Sequence, residues 1–311
     1  MRRSSIIAKE WWDFTTLDDA LLKDAAKLTV GDIQNLSRPG FEIRMYDTLD
    51  SFFLAEAFEY VRCWQKSTAG KPCGICGPIG PVHQLPLVVE IVNAMEINLK
   101  HAHYWGMDDW YTGGHDDPSV PPSLAIIFKR LCYDRIRKDL RMAEENLHFI
   151  NSENIDEFSR SFDEVHCPIM QGGQGRTKHW AYNDPVKRVG KYKDDPPSPE
   201  EYRKLGTRIV DIHPLSNIQV AGYFSGGDLY RIPNKGITVG PVETWKCDRV
   251  SIWHPGYHDD SFGLRLSSLM ISKNIMDSSV PISLLASHPD VVFHFYRKGI
   301  GTCEVDLNTI L

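Results

Sequence analysis

No stretch of this sequence approaches the ~18 consecutive apolar residues that mark a bilayer-spanning helix, although 42% of its 311 residues are hydrophobic. The apolar residues are dispersed, and no membrane association is expected. Basic residues are also too few for a nucleic-acid partner: 35 Lys and Arg stand against 41 Asp and Glu, a formal charge of −6 with no cationic cluster. Binding a phosphate backbone would need a concentrated basic face. Cysteine is sparse and odd in number, with seven residues at Cys63, Cys73, Cys76, Cys132, Cys167, Cys247 and Cys303. That pattern suits free thiols in a reducing compartment better than a disulfide framework. A secretory signal is lacking too, because Lys9, Glu10, Trp11, Trp12 and Asp13 interrupt the N-terminus where an unbroken apolar segment would have to lie. A cytoplasmic location is therefore expected. There is no internal repeat and no low-complexity tract.

What is present fits one large α/β domain. Residues 1–41 read as an N-terminal extension with a short helix over 17–28 and a turn at Arg38-Pro39-Gly40, and the domain proper runs over 42–311. Within it, Leu54, Ala57, Phe58 and Val61 recur at helical spacing, which predicts a packing helix over 47–66. Further helices are expected over 85–99, 123–140, 155–162 and 261–275. Short apolar or aromatic segments at 71–76, 102–105, 165–170, 208–212, 250–253 and 291–296 alternate with them. Several run into glycine-bearing loops. This alternation predicts a three-layer α/β/α sandwich with a mostly parallel, Rossmann-like central sheet. Ligands of such sheets sit at the carboxyl ends of the strands. Residues 187–201 read as an exposed loop or lid. Cys73-Gly74-Ile75-Cys76 has redox spacing, but it ends a strand instead of opening a helix, which speaks against thiol chemistry.

Two segments carry the chemistry. In Gly106-Met107-Asp108-Asp109-Trp110-Tyr111 a carboxylate pair follows a strand among aromatic rings, a setting that raises a carboxyl pKa and makes a usable base; an acidic turn or helix cap is the alternative. The second segment runs from Gly172-Gly173-Gln174-Gly175-Arg176 through Thr177-Lys178-His179 to Asp184-Pro185. Its glycines let backbone approach a ligand, His179 is of the residue type suited to proton transfer at neutral pH, and Asp184 stands where it could orient the imidazole. A structural turn carrying an exposed histidine is the competing reading. Trp105, Trp110, Trp180 and Tyr182 could stack on a sugar or simply fill core. His254, His258, Asp259 and Asp260 form a polar cluster with metal-compatible donors, but with twelve histidines in the chain such a grouping is weak, and no metal or other cofactor is expected.

These segments resemble the glucosamine-6-phosphate deaminase (isomerase) family, itself related to 6-phosphogluconolactonases, over residues 42 to 297. The family's Asn-Met-Asp-Glu-Tyr is matched by Gly106-Met107-Asp108-Asp109-Trp110, which implies a proton-abstracting role for Asp108. Its Gly-Gly-Val-Gly-Asn-Asp-Gly-His-Ile-Ala-Phe-Asn-Glu-Pro is matched by residues 172–185, implying a ring-opening role for His179 with Asp184 as its carboxylate partner. Thr207-Arg208-Ile209, Thr238-Val239-Gly240, Ser283 and His288-Pro289 match in the same order. Departures cluster where the family binds phosphate and assists the histidine. Thr177 replaces a second aspartate. Cys76-Gly77-Pro78-Ile79-Gly80-Pro81 replaces Pro-Thr-Gly-Gly-Thr-Pro, losing both hydroxyls, and Pro78 removes a backbone donor. Asp259, in Pro255-Gly256-Tyr257-His258-Asp259, stands where the family has a lysine, replacing attraction for an anion by repulsion.

The resemblance implies aldose-ketose isomerisation of a sugar or amino sugar, with or without loss of ammonia, on a substrate that need not be a 6-phosphosugar. Gly77, Gly80, Asp109, Gly173, Gly175, Arg176, Lys178, Arg208, His258 and Asp259 are the expected substrate-binding residues, with Arg176, Lys178 and Arg208 as substitute cations for an acidic group placed differently. A lactonase-type hydrolase and a sugar-binding protein without activity remain as alternatives. The expected partner is a small sugar or sugar phosphate, and the reading leans towards a homo-oligomer.

Overall fold

A computed structural model describes residues 2–78, 82–113, 121–256 and 260–304. Ten strands are present among them: β1 Phe41–Tyr46, β2 Cys73–Gly77, β3 Ala102–Gly106, β4 Asp108–Trp110, β5 Leu147–His148, β6 His166–Gly172, β7 Arg208–Asp211, β8 Lys235–Thr238, β9 Arg249–His254 and β10 Val291–Tyr296. Ten helices accompany them: α1 Asp19–Lys27, α2 Val30–Gln34, α3 Leu49–Gln65, α4 Gln84–Ala94, α5 Leu124–Leu131, α6 Ile155–Glu164, α7 Pro199–Arg203, α8 Pro214–Phe224, α9 Pro241–Thr244 and α10 Ser261–Ser272.

Seven strands form one sheet in the order β1-β10-β9-β6-β2-β3-β5, and every pairing in it is parallel. Helices cover both faces, the three-layer arrangement expected from the sequence. Alternation along the strands builds two cores. Ile75 and Tyr104 belong to one, with residues of α3, α4 and α5; their chain neighbours Cys76 and Trp105 belong to the other, with residues of α6 and α10. From β2 the chain goes on to β3 on one side, whereas from β6 it goes on to β9 on the other. Adjacent strands whose connections diverge leave a crevice at their carboxyl ends.

Helix α3 shows how local chemistry sets an element. Thr48 accepts from the Ser51 amide at 3.1 Å and caps the start, and Phe52, Glu56, Ala57, Tyr60, Val61 and Trp64 turn inward at three- and four-residue intervals. A second, antiparallel sheet of three strands, β4-β8-β7, stands beside the first. Residues 106–111, expected as a loop after a strand, instead hold the last residue of β3 and the whole of β4.

Residues 2–41 are packed into the body. Leu17, Ala25 and Ile33 lie in the same core as Phe41 and Phe293. The segment 187–201, expected as an exposed loop or lid, is hydrogen-bonded to the N-terminal segment. The Trp12 amide donates to the Val186 carbonyl at 3.0 Å, Trp12 Nε1 to the Tyr192 carbonyl at 2.8 Å, and the Arg188 amide to the Glu10 carbonyl at 2.8 Å. Among the described residues, no helix is long and apolar enough to cross a membrane.

Candidate active site

Asp108 opens β4, two residues after β3 ends at the sheet's carboxyl edge. Its partner strand β8 ties this edge to the histidine segment. The Val239 amide donates to the Met107 carbonyl at 2.8 Å, the Tyr182 amide to Thr238 Oγ1 at 3.0 Å, and Asn183 Nδ2 to the Val239 carbonyl at 2.9 Å. Two segments some seventy residues apart are thereby fixed against one strand. Withdrawal from water, reinforced by the neighbouring Asp109 and opposed by His179, pushes the Asp108 carboxyl up to about 7.

His179 sits in a tight turn whose flanking residues Lys178 and Ala181 hold left-handed backbone, φ 63° and 48°. Its Nδ1 lies 2.5 Å from Asp184 Oδ1, so Nδ1–H donates and Nε2 is left with its lone pair. Asp184 is buried, which by itself raises its pKa, yet His179, His213 and Thr177 together hold it down at about 2. Thr177 Oγ1 donates to Asp184 Oδ1 at 2.5 Å and Ser216 Oγ to the same atom at 2.8 Å, while the His213 amide donates to Oδ2 at 2.9 Å. The hydroxyl of Thr177 thus supports the dyad where a second carboxylate would compete for its proton. Gly175 lies against the imidazole so closely that a Cβ there would sit 2.0 Å from His179 Nε2.

Asp108 and His179 line the same cavity, of about 230 Å³, at the carboxyl ends of β2, β3, β6 and β9. Gly173, Gly175 and Arg176 also line it, as do Asp260 and Tyr182. Several expected binding residues do not, and each has a structural occupation. Both Asp109 oxygens are used at the start of α5, Oδ1 by the Leu124 amide at 2.9 Å and Oδ2 by the Ala125 amide at 3.4 Å. Lys178 is buried with its ammonium on Asp260 at 2.8 Å and on the Arg176 carbonyl at 2.6 Å. Arg208 donates to Asn183 Oδ1 and to the Gly206 carbonyl, each at 3.1 Å. Gly77 is a packing glycine, where a Cβ would meet Tyr60 Oη at 2.3 Å. Gly80, His258 and Asp259 lie outside the described residues.

Of the four aromatics singled out in the sequence, only Tyr182 reaches the cavity; Trp105 and Trp180 are core, and Trp110 is buried with its Nε1 on the Pro122 carbonyl. The cavity's other rings come from Phe52, Phe53, Tyr223, Phe224 and Trp253. Sequence reasoning missed these together with Glu56, Gln174, Ser216 and Gln219. A signal existed for α8, since His213-Pro214 is a helix-start pair with proline in the first turn. Among the described residues, no group of three or more His, Cys, Asp and Glu side chains could hold a metal. His254 Nδ1 accepts from the Gly256 amide at 2.9 Å.

No protein-family model matches the sequence, and no curated protein matches it either. Solved structures do match. One is described as a monomeric glucosamine-6-phosphate deaminase, 17% identical, covering 83% of this chain and 98% of its own, with a TM-score of 0.63. A 6-phosphogluconolactonase from Plasmodium vivax is 13% identical, covering 86% and 96%, with a TM-score of 0.57. A 6-phosphogluconolactonase from Thermotoga maritima is 11% identical, covering 82% and 100%, with a TM-score of 0.51. The chain shares the fold of these sugar-phosphate enzymes.

Proposed function

We propose that the chain is an enzyme that shifts a proton within a sugar or amino sugar, interconverting aldose and ketose forms with or without loss of ammonia. One observation carries the reading: a desolvated carboxyl poised near neutrality and a carboxylate-held imidazole face the same small cavity. His179 Nε2 takes the proton of the anomeric hydroxyl and passes it to the ring oxygen, so the ring opens. Asp108 then removes the proton from C2 of the open chain and returns it at C1. The substrate's own carbonyl or imine makes that C–H acidic enough for a base of this strength. The imidazolium formed in the first step is stabilised by Asp184, whose low pKa keeps it charged.

A second reading uses the dyad alone. His179 Nε2 takes a proton from water, which adds to the carbonyl carbon of a sugar lactone. The likeness to lactonases supports it as well as the likeness to a deaminase supports the first. Asp108 favours isomerisation, because hydrolysis by one imidazole base has no use for a second base tuned to neutrality. Turnover in deuterated water separates the two. Deuterium at C1 or C2 of recovered sugar supports proton shuttling, and hydrolysis of a lactone without such label would replace it by the second reading. Sugar binding that leaves every substrate unchanged, in wild type as in Asp108→Asn, would identify a binding protein.

A further inference from the structure

The cavity wall holds two buried polar side chains that nothing among the described residues completes. Glu56, on the inward face of α3, is 1% exposed, and among the described residues its Oε1 has no hydrogen-bond partner. Gln174, in the loop after β6, is 5% exposed, and neither its Oε1 nor its Nε2 has one. Both line the cavity. Buried polar atoms are nearly always paired, and those that are not mark places where a ligand or water supplies the partner.

We propose that Glu56 and Gln174 form a subsite for uncharged hydroxyl groups, so that the ligand of this cavity is an unphosphorylated monosaccharide. The subsite rests on the sugar reading above and narrows it. A hydroxyl both donates and accepts, and so can pair with an amide oxygen, an amide N–H and a carboxyl oxygen alike. A phosphate oxygen at neutral pH chiefly accepts, so it could pair with the Gln174 amide N–H but would leave the Gln174 Oε1 lone pairs without a proton. Charge argues the same way. Among the described residues Arg176 is the only lysine or arginine in the wall, Asp108 stands in the same wall, and the lysine nearest in sequence, Lys178, is spent on Asp260. Burial and the adjacent Glu59 raise the Glu56 carboxyl well above its ordinary value. It is then a neutral acid, able to donate from one oxygen and accept at the other.

Calorimetric titration of Asp108→Asn protein, which binds without turnover, tests this with D-glucose, D-glucosamine and D-galactosamine and the 6-phosphate of each. At least one free sugar is expected to bind at least tenfold more tightly than its phosphate. Adding Glu56→Leu or Gln174→Leu should weaken that sugar at least tenfold while leaving the melting temperature of the ligand-free protein unchanged or higher, since each change removes an unpaired buried atom. Glu56→Gln, which keeps a donor and an acceptor, should restore most of the affinity. Tighter or equal binding of the phosphates overturns the proposal; so does failure of every free sugar to bind, or wild-type affinity in both leucine variants. Selective binding of a free sugar that wild-type protein never labels from deuterated water would sink the proton-transfer reading and leave this subsite standing.

Discussion

An unperturbed aspartate is almost wholly ionised at neutral pH but holds protons too weakly to take one from carbon. Asp108 differs because its cavity wall withholds water and Asp109 stands beside it, moving its pKa to about 7. The base is the ionised form, so turnover should rise with pH through about 7 and level off above it, unless another group intervenes at higher pH. Asp108→Asn should lower kcat by about 10²–10⁴-fold, the usual contribution of a positioned base, and abolish the rise near 7. The same residue carries a stability cost whose sign follows from linkage. Its folded pKa lies above the unfolded value of 3.8, so the folded state holds the proton more tightly between those values. Stability is lost as pH rises from about 4 to 7, and the loss is complete above 7. At about 1.4 kcal/mol per pH unit the penalty is on the order of 4 kcal/mol. Asp108→Asn should thus raise the urea midpoint at pH 8 and leave it nearly unchanged at pH 4, and equal shifts at both pH values would refute the burial cause. Gly175 offers a separate test by geometry. Alanine there needs space 2.0 Å from His179 Nε2, so the ring must swing away. Gly175→Ala should cost on the order of 10²-fold in kcat with an unchanged far-ultraviolet spectrum.

Among the elements, the N-terminal segment does more than cover a surface. Asp13 and His213 are both fully buried. They approach at 3.5 Å, longer than a good hydrogen bond. His213 Nδ1 accepts from the Leu215 amide at 3.1 Å, which turns the Nε2 proton towards Asp13. The His213 amide in turn holds Asp184 Oδ2. Asp13 also accepts from Ser5 Oγ, from the Thr15 amide at 2.8 Å and from Thr15 Oγ1 at 2.6 Å. Asp13→Ala should therefore destabilise by roughly 3 kcal/mol, because it leaves several buried donors unpaired at once, whereas exposed Asp19→Ala should change little; urea denaturation of both variants measures the difference. The elements also show what a sequence can disclose. Helices α3, α6 and α10 start and stop within a few residues of their apolar periodicity. The α5 pattern extends to Leu140, but the helix stops at Leu131, because Cys132 leaves helical backbone at φ −125°, ψ −73° and a tighter turn follows. Helix α8 escaped because Ile218 and Tyr223 are 50% and 67% exposed, so its apolar residues do not mark one buried face. Asp108, His179 and Asp184 were legible as residue types at a matched spacing. Glu56 was not, since a carboxylate on the inward stripe of a packing helix shows its meaning only when the cavity beside it is seen.

At the scale of the whole molecule, the question is whether the two cores, on opposite faces of the seven-stranded sheet, melt as one body. The cysteines report on it. Cys63 and Cys132 lie in the core under α3 and α5, and Cys76, Cys167 and Cys247 in the core on the opposite face. Cys73 is also buried, and Cys303 is half-buried. Burial raises the Cys132 thiol to about 12 and pushes Cys63, Cys76 and Cys167 upward as well, so even a reagent that reached them would find little thiolate. A thiol-specific disulfide reagent should thus modify native protein at Cys303 alone, and all seven cysteines after unfolding in guanidinium. Both core faces are built on the strand pair β2-β3, with Ile75 and Tyr104 pointing one way and Cys76 and Trp105 the other. Neither core can open without stripping the sheet that the other needs. Modification of the six buried thiols should therefore follow one rate with one denaturant dependence, whichever core they occupy. Peptide mapping after partial labelling decides it. If Cys63 and Cys132 become labelled while Cys76, Cys167 and Cys247 stay protected, the α3 face opens as an independent unit. The cavity wall carrying Glu56 would then be a separable part of the site, with a stability of its own.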